Sequence, residues 1–259
     1  MQTFTDHLGR TIQFDYPPKR IVSLVPAITE TMYYLGLEDE IVGRTRFCIH
    51  PKDKVLLAKN IGGTKDINID RIHQVKPDLI IAEKEENTKE IVETLERYYP
   101  VFVFEVQNTL DVFRMIEDLG LLTDTKIKAN NLTKQIQNVL QNLPHVHNKR
   151  AAYVIWKNPY MVVGRDTYIQ SLLDKMGLIN PFTLYDGRYP TVFEQDFLKE
   201  NLDYVLLATE PYPFREKHLK EWLELLPNVT PLLVDGEMFW YGAKMLQSGK
   251  YFNNLFQKL

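Results

Sequence analysis

Residues 20–45 read RIVSLVPAITETMYYLGLEDEIVGRT, and this stretch decides the predicted fold. It opens with a β-rich apolar run that stops at Pro26, which predicts a short buried strand. A helical stretch begins at Thr29 and is closed by Gly36, and residues 41–43 form the next predicted strand. A strand, a helix and a strand in such quick succession are typical of a parallel α/β sheet.

The same alternation continues along the first half of the chain. Short helices are predicted over residues 68–75 and 87–98, and buried strands over residues 78–82 and 101–104. Strands that are apolar throughout and separated by helices favour a parallel α/β sheet over a β-sandwich.

The second half of the chain repeats this order. AAYVIW at 151–156 parallels RIVSLV, and YIQSLLDKMGLI at 168–179 parallels the first helix with its Gly-Leu turn. FLKENLDYVLLAT at 197–209 parallels RIHQVKPDLIIAE, and NVTPLLVD at 228–235 parallels YYPVFVFEV. The sequence therefore predicts two related, Rossmann-like α/β lobes.

One long helix is predicted to join the lobes. From Asp124 to Leu143 apolar residues recur at helical spacing without an internal Gly or Pro. About 20 residues of helix span roughly 30 Å and resist a wide hinge motion, because bending breaks backbone hydrogen bonds. The predicted organisation is an N-terminal lobe at 1–122, the connecting helix at 123–145 and a C-terminal lobe at 146–259. An ordinary packed helix inside one continuous domain is the alternative.

Composition excludes several classes of partner. The chain has 259 residues, 44% of them hydrophobic and 25% charged, with a net charge of −3 and no basic stripe, so we expect no nucleic-acid binding. No apolar run is long enough to enter a membrane directly. The opening MQTFTDHLGRTIQF lacks the features of a secretory signal, which leaves a cytoplasmic location open.

Common catalytic motifs are absent from the sequence. Neither G-x-G-x-x-G nor G-x-x-x-x-G-K-[ST] occurs, and none of the three serines lies in a G-x-S-x-G turn. His145 and His147 flank Val146 at a spacing that can ligate a metal ion, although a solvated linker is the simpler interpretation.

The sharpest chemical pair lies in TRFCIHP at 45–51, which holds the only cysteine of the chain. In an extended segment Cys48 and His50 point to the same side, where thiolate and imidazole suit zinc, iron or cobalt. A catalytic cysteine also needs a group that orients its histidine, and the sequence offers none. The alternative is that Cys48 packs as a small apolar residue and His50 bonds a neighbouring backbone group.

Aromatic residues cluster at predicted strand ends and in the loops after them, where open α/β sheets bind ligands. They suit a large, flat, partly apolar ligand. These residues are Phe47, Trp156, Tyr160, Tyr189, Phe193, Trp240 and Tyr241.

Residues 20–45, together with INIDRIHQVKPDLIIAEKEENTKEIVETL at 67–95, resemble a known family. This is the family of substrate-binding proteins of ABC importers for cobalamin, haem and ferric siderophores, also called helical-backbone metal receptors. The chain is most similar to the cobalamin-binding branch, and the resemblance runs from DHLGRTIQF to VDGEMFWYGAKM. It implies a class III periplasmic-binding-protein-like fold and a ligand held in the cleft between nearly rigid lobes.

The resemblance also implies particular ligand contacts. Phe47 and Tyr189 match aromatic positions of the cobalamin branch, Met161 falls where a further aromatic contact is usual, and Glu83 replaces a pocket tryptophan. Cys48 and His50 are candidate ligands to the metal of the chelate. The full predicted ligand-binding set is Phe47, Cys48, His50, Trp156, Tyr160, Met161, Tyr189, Phe193, Trp240 and Tyr241.

Docking on a membrane permease is the other implied property. The family uses an acidic residue on each lobe, and the matching positions here are Asp70 and Gln195, the latter flanked by Glu194 and Asp196. An amide cannot make the charge-assisted bidentate bond that arginine favours, so a neighbouring carboxylate would have to replace it.

We therefore expect a non-enzymatic, monomeric protein without an intrinsic cofactor that captures a metal chelate and delivers it to an ABC importer. Cobalamin or another corrinoid is the first candidate ligand, and haem or a ferric siderophore is the next. Arg165 and Glu237 would fix its orientation. By resemblance the location is periplasmic or in the cell envelope. The rival hypothesis is an intracellular metal-handling or corrinoid-handling protein or enzyme that uses Cys48 and His50.

Overall fold

The computed structural model describes residues 1–256, which form two compact units. The first unit contains Met1–Val106, Leu110–Gln137 and Tyr241–Lys244. The second contains Gln107–Thr109, Asn138–Trp240 and residues 245–256. The lobe boundaries proposed from the sequence stay a prediction.

A five-stranded parallel sheet organises the first unit, and a separate antiparallel hairpin precedes it. The strands are β1 (Gln2–Thr5), β2 (Thr11–Phe14), β3 (Ile21–Ser23), β4 (Ile41–Arg44), β5 (Lys59–Asn60), β6 (Leu79–Glu83) and β7 (Val101–Phe104). β1 and β2 form the hairpin, and the sheet order is β5-β4-β3-β6-β7, so the first strand of the quoted stretch lies at its centre.

The helices in the first part of the chain follow the predicted alternation. They are α1 (Pro26–Tyr34), α2 (Ile69–Val75), α3 (Lys89–Leu95), α4 (Thr109–Leu122) and α5 (Lys126–Gln141). The first helix begins at Pro26 rather than at the predicted Thr29, because proline at the first helical position loses no hydrogen bond and already has a helical φ. Gly36 follows with φ +82° and ends the helix as expected.

The long predicted helix is shorter than expected. α5 has 16 residues, or about 24 Å of helix, where the pattern predicted about 20 residues from Asp124. Asp124 has φ +57°, a left-handed conformation that separates α4 from α5. A connecting role for α5 stays a prediction.

The second unit has a mixed sheet in the order β11-β9-β8-β12-β13, with β10 paired to β8. β8, β10, β12 and β13 are mutually parallel, whereas β9 and β11 add antiparallel pairs at one edge. The strands are β8 (Lys149–Trp156), β9 (Tyr160–Val162), β10 (Leu178–Ile179), β11 (Thr191–Val192), β12 (Tyr204–Ala208) and β13 (Thr230–Val234). The helices are α6 (Tyr168–Lys175), α7 (Glu194–Lys199), α8 (Glu216–Leu225) and α9 (Met245–Phe256).

The structure confirms the predicted α/β class with parallel strands. The antiparallel edge of the second sheet was not predicted, and its cause is local. Only a short turn at Asn158 and Pro159 separates β8 from β9, and Asn158 has φ +63°. So short a connection can reverse the chain but cannot make the crossover that a parallel pair needs. Within residues 1–256, no helix combines the length and the apolar character needed to cross a membrane.

Candidate functional site

Phe47 lies in the loop after β4, at the carboxyl end of a strand in the first sheet. Its side chain is 48% exposed, and the guanidinium of Arg46 lies 4.9 Å from its ring centre. Asp66 holds Arg46 through two hydrogen bonds of 3.0 and 3.1 Å. Phe47 therefore presents an accessible aromatic surface at the edge where open α/β sheets bind ligands.

Cys48 is buried beside this surface and is only 1% exposed. Thr29 Oγ1 donates a hydrogen bond to its Sγ over 3.1 Å, and the Thr45 hydroxyl lies 3.2 Å from the same sulfur. Burial raises the pKa of the thiol, which disfavours the thiolate that a metal ion or an electrophile requires. The geometry thus shows Cys48 packed among hydroxyl groups, and its predicted contact with a ligand stays a prediction.

His50 is half-buried two residues further on and precedes Pro51 through a cis peptide bond. Across the described part of the chain, no group of three or more His, Cys, Asp or Glu side chains is placed to hold a metal ion. A chelate carries most of its own metal ligands, so a single imidazole would be enough to complete its coordination. Ligation by His50 stays a prediction.

A pocket of about 510 Å³ lies within the second unit. Tyr160 and Phe193, both predicted to bind ligand, line it together with Glu194 and Gln195, both predicted to dock on a permease. The full lining is Asn158, Pro159, Tyr160, Val192, Phe193, Glu194, Gln195 and Asp196. Residues predicted to bind ligand and residues predicted to dock on a permease thus lie side by side on one surface.

The inner wall of this pocket is aromatic and rigid. Tyr160 is half-buried, with ring centres 5.6 Å from Phe197 and 5.2 Å from Trp222, and burial raises the pKa of its phenol. Phe193 is 69% exposed at the outer wall. An exposed phenyl ring in a pocket that is also lined by a packed tyrosine offers apolar area to a ligand or partner.

The acidic residues beside Phe193 have different surroundings. Asp196 accepts a hydrogen bond of 2.9 Å from the backbone N–H of Phe193 and so caps the start of α7. Glu194 and Gln195 are exposed in the first turn of the helix. Of the two acidic neighbours of Gln195, Glu194 is therefore the more accessible to an arginine from outside.

Asp70 is exposed in the first turn of α2, in the first unit. Asn68 caps this helix by accepting a hydrogen bond of 2.9 Å from the N–H of Arg71. A carboxylate in the first turn of a helix is stabilised by the helix dipole and remains open to solvent. This is the surface setting that a docking residue requires.

The remaining predicted contacts in the second unit lie in strands or beside them. Trp156 ends β8, is 40% exposed and packs edge-on against Tyr212 at 5.7 Å. Met161 is opposite Thr191 in the β9–β11 pair. Tyr189 is half-buried in the segment before β11.

Trp240 follows β13, and its indole N–H donates a hydrogen bond to the Glu210 carboxylate, at the end of β12. Gly236 allows this approach, because a Cβ there would lie 2.4 Å from Glu210 Cγ. Tyr241 is half-buried and belongs to the first unit.

The two polar residues expected to orient a ligand differ in exposure. The Arg165 side chain is 53% exposed, with Nη2 3.8 Å from Asp186 Oδ1. Glu237 is half-buried in the turn after β13.

Glu83 does not present its side chain to the surface where the resemblance places a tryptophan. It ends β6 and is 2% exposed. Its carboxylate accepts hydrogen bonds from the backbone N–H groups of Glu85, Glu86 and Val106, at 2.8, 3.1 and 3.2 Å. Burial nevertheless raises its pKa to about 7. Glu83 therefore organises the loop after β6 rather than supplying contact area.

Several residues beside the predicted contacts were not singled out from the sequence. Asn158 and Pro159 shape the turn, and Glu210 and Tyr212 position two predicted tryptophans. The dipeptide Asn158-Pro159 is a turn signal that could have located the pocket. No sequence signal pairs Glu210 with Trp240, because these residues lie 30 positions apart.

The comparisons with known proteins agree with this architecture. A family model described as periplasmic binding protein matches residues 21–224. The chain is 29% identical over 221 residues to a vitamin B12-binding protein of Vibrio vulnificus (strain CMCP6), covering 82% of this chain and 78% of that protein. It is 26% identical over 184 residues to an uncharacterized ABC transporter substrate-binding lipoprotein of Bacillus subtilis (strain 168), covering 66% of this chain and 58% of that relative's length.

A solved structure with a similar fold is the apo form of a periplasmic heme-binding protein from Roseiflexus sp. RS-1. It has a TM-score of 0.77 and 15% identity, and the match covers 93% of this chain and 98% of that one. At this identity the likeness concerns the fold alone. Because the family model spans most of the chain, this protein belongs to the periplasmic binding protein family.

Proposed function

We propose that the protein binds a metal chelate, a corrinoid such as cobalamin first and haem or a ferric siderophore next, and delivers it to an ABC importer without catalysing a reaction. The observation that carries the proposal is the match of 82% of the chain to a vitamin B12-binding protein. The family to which this chain belongs consists of substrate-binding proteins, and a chelate-binding role requires no catalytic group.

Accessible aromatic surface supports a large, flat ligand. Phe47 is 48% exposed in the first unit, and Trp156 and Phe193 are 40% and 69% exposed in the second. Such rings gain dispersion and apolar burial against a macrocycle. A buried glutamate stands at position 83, where the resemblance has a pocket tryptophan, so one aromatic contact expected of the cobalamin branch is absent and haem and ferric siderophores stay the next candidates.

Delivery is proposed to use Asp70 and Glu194, the exposed carboxylates near the two expected docking positions. Relatives of the chain include an uncharacterized ABC transporter substrate-binding lipoprotein. We propose that this protein works as a monomer in the cell envelope. Fractionation of the native host and sedimentation of the purified protein test these two points. Recovery in the cytosol, or a stable dimer, would contradict them.

The decisive experiment is a titration of the purified protein with cyanocobalamin, aquocobalamin and haem, followed by visible absorbance and calorimetry. We expect one corrinoid per chain. A spectral shift with aquocobalamin alone, lost in His50→Ala but kept in Cys48→Ala, would identify His50 as the cobalt ligand. Binding of none of the three would reject the corrinoid and haem assignments, and ferric siderophores would then be titrated in the same way.

Substitution of the exposed rings tests the aromatic surface. Phe47→Ala and Phe193→Ala should each weaken corrinoid binding about tenfold, since each removes a ring contact worth about 1.4 kcal/mol. Leu57→Ala and Leu184→Ala are matched controls, because both leucines are 87% exposed and lie outside the predicted site. Equal effects of the phenylalanine and leucine changes would remove the role assigned to these rings.

A further inference from the structure

His145 and His147 lie in the segment between α5 and β8, and the proposed function uses neither. Both side chains are exposed. Their imidazole rings stack almost parallel, with centres 5.5 Å apart and an interplanar angle of 4°. Within residues 1–256, neither imidazole hydrogen-bonds or pairs with a charged group, so the two rings offer a pair of available nitrogen donors.

The backbone holds the two rings on one side of the segment. Val146 donates a hydrogen bond of 2.7 Å from its N–H to the carbonyl of Met176, which anchors the residue between the two histidines. The near-parallel stacking places both imidazoles on the same side of the segment. The two donors are therefore neighbours before any ion arrives.

The neighbouring segment of the same chain leaves room beside the two histidines. Gly177 follows Met176 with φ +75° and carries no side chain. A Cβ there would lie 3.8 Å from His147 Nδ1. Lys149, the nearest cation along the chain, is paired with Asp203 at 2.9 Å, which offsets its repulsion of a metal ion.

The ring separation suits chelation of one metal ion. With metal–nitrogen bonds of about 2.0–2.1 Å, two adjacent imidazoles on a square-planar or tetrahedral ion have ring centres about 4.5–5 Å apart. The observed 5.5 Å is close to this value. Because the stacked rings lie almost parallel, each ring would turn about its side-chain bonds to aim one nitrogen at the shared ion.

We propose that His145 and His147 form a surface chelate site for a late first-row transition ion, Cu²⁺ before Ni²⁺ and Zn²⁺. Imidazole nitrogens suit these ions, and Cu²⁺ binds most tightly to a given set of such donors. Residues 1–256 contain no third His, Cys, Asp or Glu that completes the site, so water fills the remaining positions and the ion is exchangeable. The site takes a bare ion and is independent of the proposed chelate binding.

Calorimetry of the full-length, tag-free protein with Cu²⁺ alone tests the site, with electron paramagnetic resonance to count coordinated nitrogens. We expect one ion per chain, coordinated by two imidazole nitrogens. The double variant His145→Gln/His147→Gln should bind at least about tenfold more weakly, because the second donor acts at high effective concentration once the first has bound.

Exchanging the residues at positions 147 and 148 supplies the matched control. The variant His147→Asn/Asn148→His keeps the composition and all six histidines of the chain but moves the second imidazole to position 148, where the backbone is left-handed with φ +59° and the ring no longer takes the stacked place beside His145. It should lose affinity as the double glutamine variant does. Binding of Cu²⁺ by either variant as tightly as by the wild type would overturn the proposal. Corrinoid affinity is measured on the same variants, so failure of one proposal is distinguishable from failure of the other.

Discussion

The surroundings of the Glu83 carboxyl group have opposing effects on its pKa. Three backbone N–H groups favour its ionised form, whereas burial and the charge of Glu85 favour the protonated form. Burial is the larger effect and raises the pKa from 4.5 to about 7. The loop after β6 is therefore built around a group that titrates near neutral pH.

The titration of Glu83 makes stability depend on pH. Between the unfolded pKa of 4.5 and the folded pKa of about 7, the folded protein keeps a proton that the unfolded chain has released. The stability due to protonated Glu83 is present below the lower value and is lost as the pH rises to the upper one, in all about 3 kcal/mol. Urea unfolding should be measured from about pH 5 to pH 8 for both proteins. Over this range the wild type should lose about this much free energy of unfolding relative to Glu83→Gln.

An exposed carboxyl group serves as the control for this experiment. Glu224→Gln, on the exposed face of α8, should leave the pH profile parallel to that of the wild type. If Glu83→Gln also ran parallel to the wild type, the raised pKa of Glu83 would be refuted.

Cys48 should be inert toward thiol reagents in the folded protein. Its sulfur is buried against Thr29 and Thr45, and both burial and the raised pKa suppress the reactive thiolate. We expect labelling by an aromatic disulfide reagent near pH 8 to be at least about 100-fold slower in the native protein than in denaturant. Rapid native labelling would show instead that the thiol reaches the surface and is accessible to a ligand.

At the scale of elements, residues 241–244 pack on α1 although they lie far along the chain. The N–H of Ala243 donates a hydrogen bond of 3.0 Å to Thr31 Oγ1. The buried ammonium of Lys244 lies 3.1 Å from a Glu30 carboxylate oxygen. Gly242 makes the approach possible, because a Cβ on it would lie 2.1 Å from Thr31 Oγ1. This contact completes the first unit with residues that no local pattern connects to it.

Gly242→Ala should destabilise the protein far more than an alanine at a comparable turn. Gly9 has φ +78° against +79° for Gly242, but nothing lies within 4 Å of its Cβ position. Gly9→Ala pays only for the left-handed backbone, about 1–2 kcal/mol, whereas Gly242→Ala also displaces Thr31 and should cost about 3 kcal/mol or more. Thermal unfolding of the two variants checks this, and equal losses would show that the packing of 241–244 on α1 does not contribute to stability.

At the scale of the whole molecule, a transport assay distinguishes docking on an importer from ligand capture. If Asp70 and Glu194 dock on an importer as proposed, Asp70→Asn and Glu194→Gln should each lower chelate uptake about 3–10-fold in vesicles that contain that importer, since each would lose a charge-assisted bond to arginine. The chelate affinity of the isolated protein should not change. Gln195→Glu should raise uptake, because it supplies a carboxylate at the expected position.

Salt provides an independent check on docking. Exposed charge pairs weaken as ionic strength rises, so wild-type uptake should fall with added salt and the Asp70→Asn/Glu194→Gln double variant should respond less. If the double variant transported as well as the wild type, other surfaces would have to make the contact.

The sequence by itself determined the α/β class, the strand–helix alternation and the family resemblance, because these depend on local periodicity, turn residues and motif order. The run at 20–25 became the central strand, and the predicted strand at 101–104 has the observed bounds. Only the tertiary structure decided the fate of individual polar groups. Burial of Cys48 and Glu83, and the packing of residues 241–244 on α1, arise from contacts between residues far apart in the chain. Local pattern carries no information about which distant groups meet, so folding alone sets these contacts and the pKa values that follow from them.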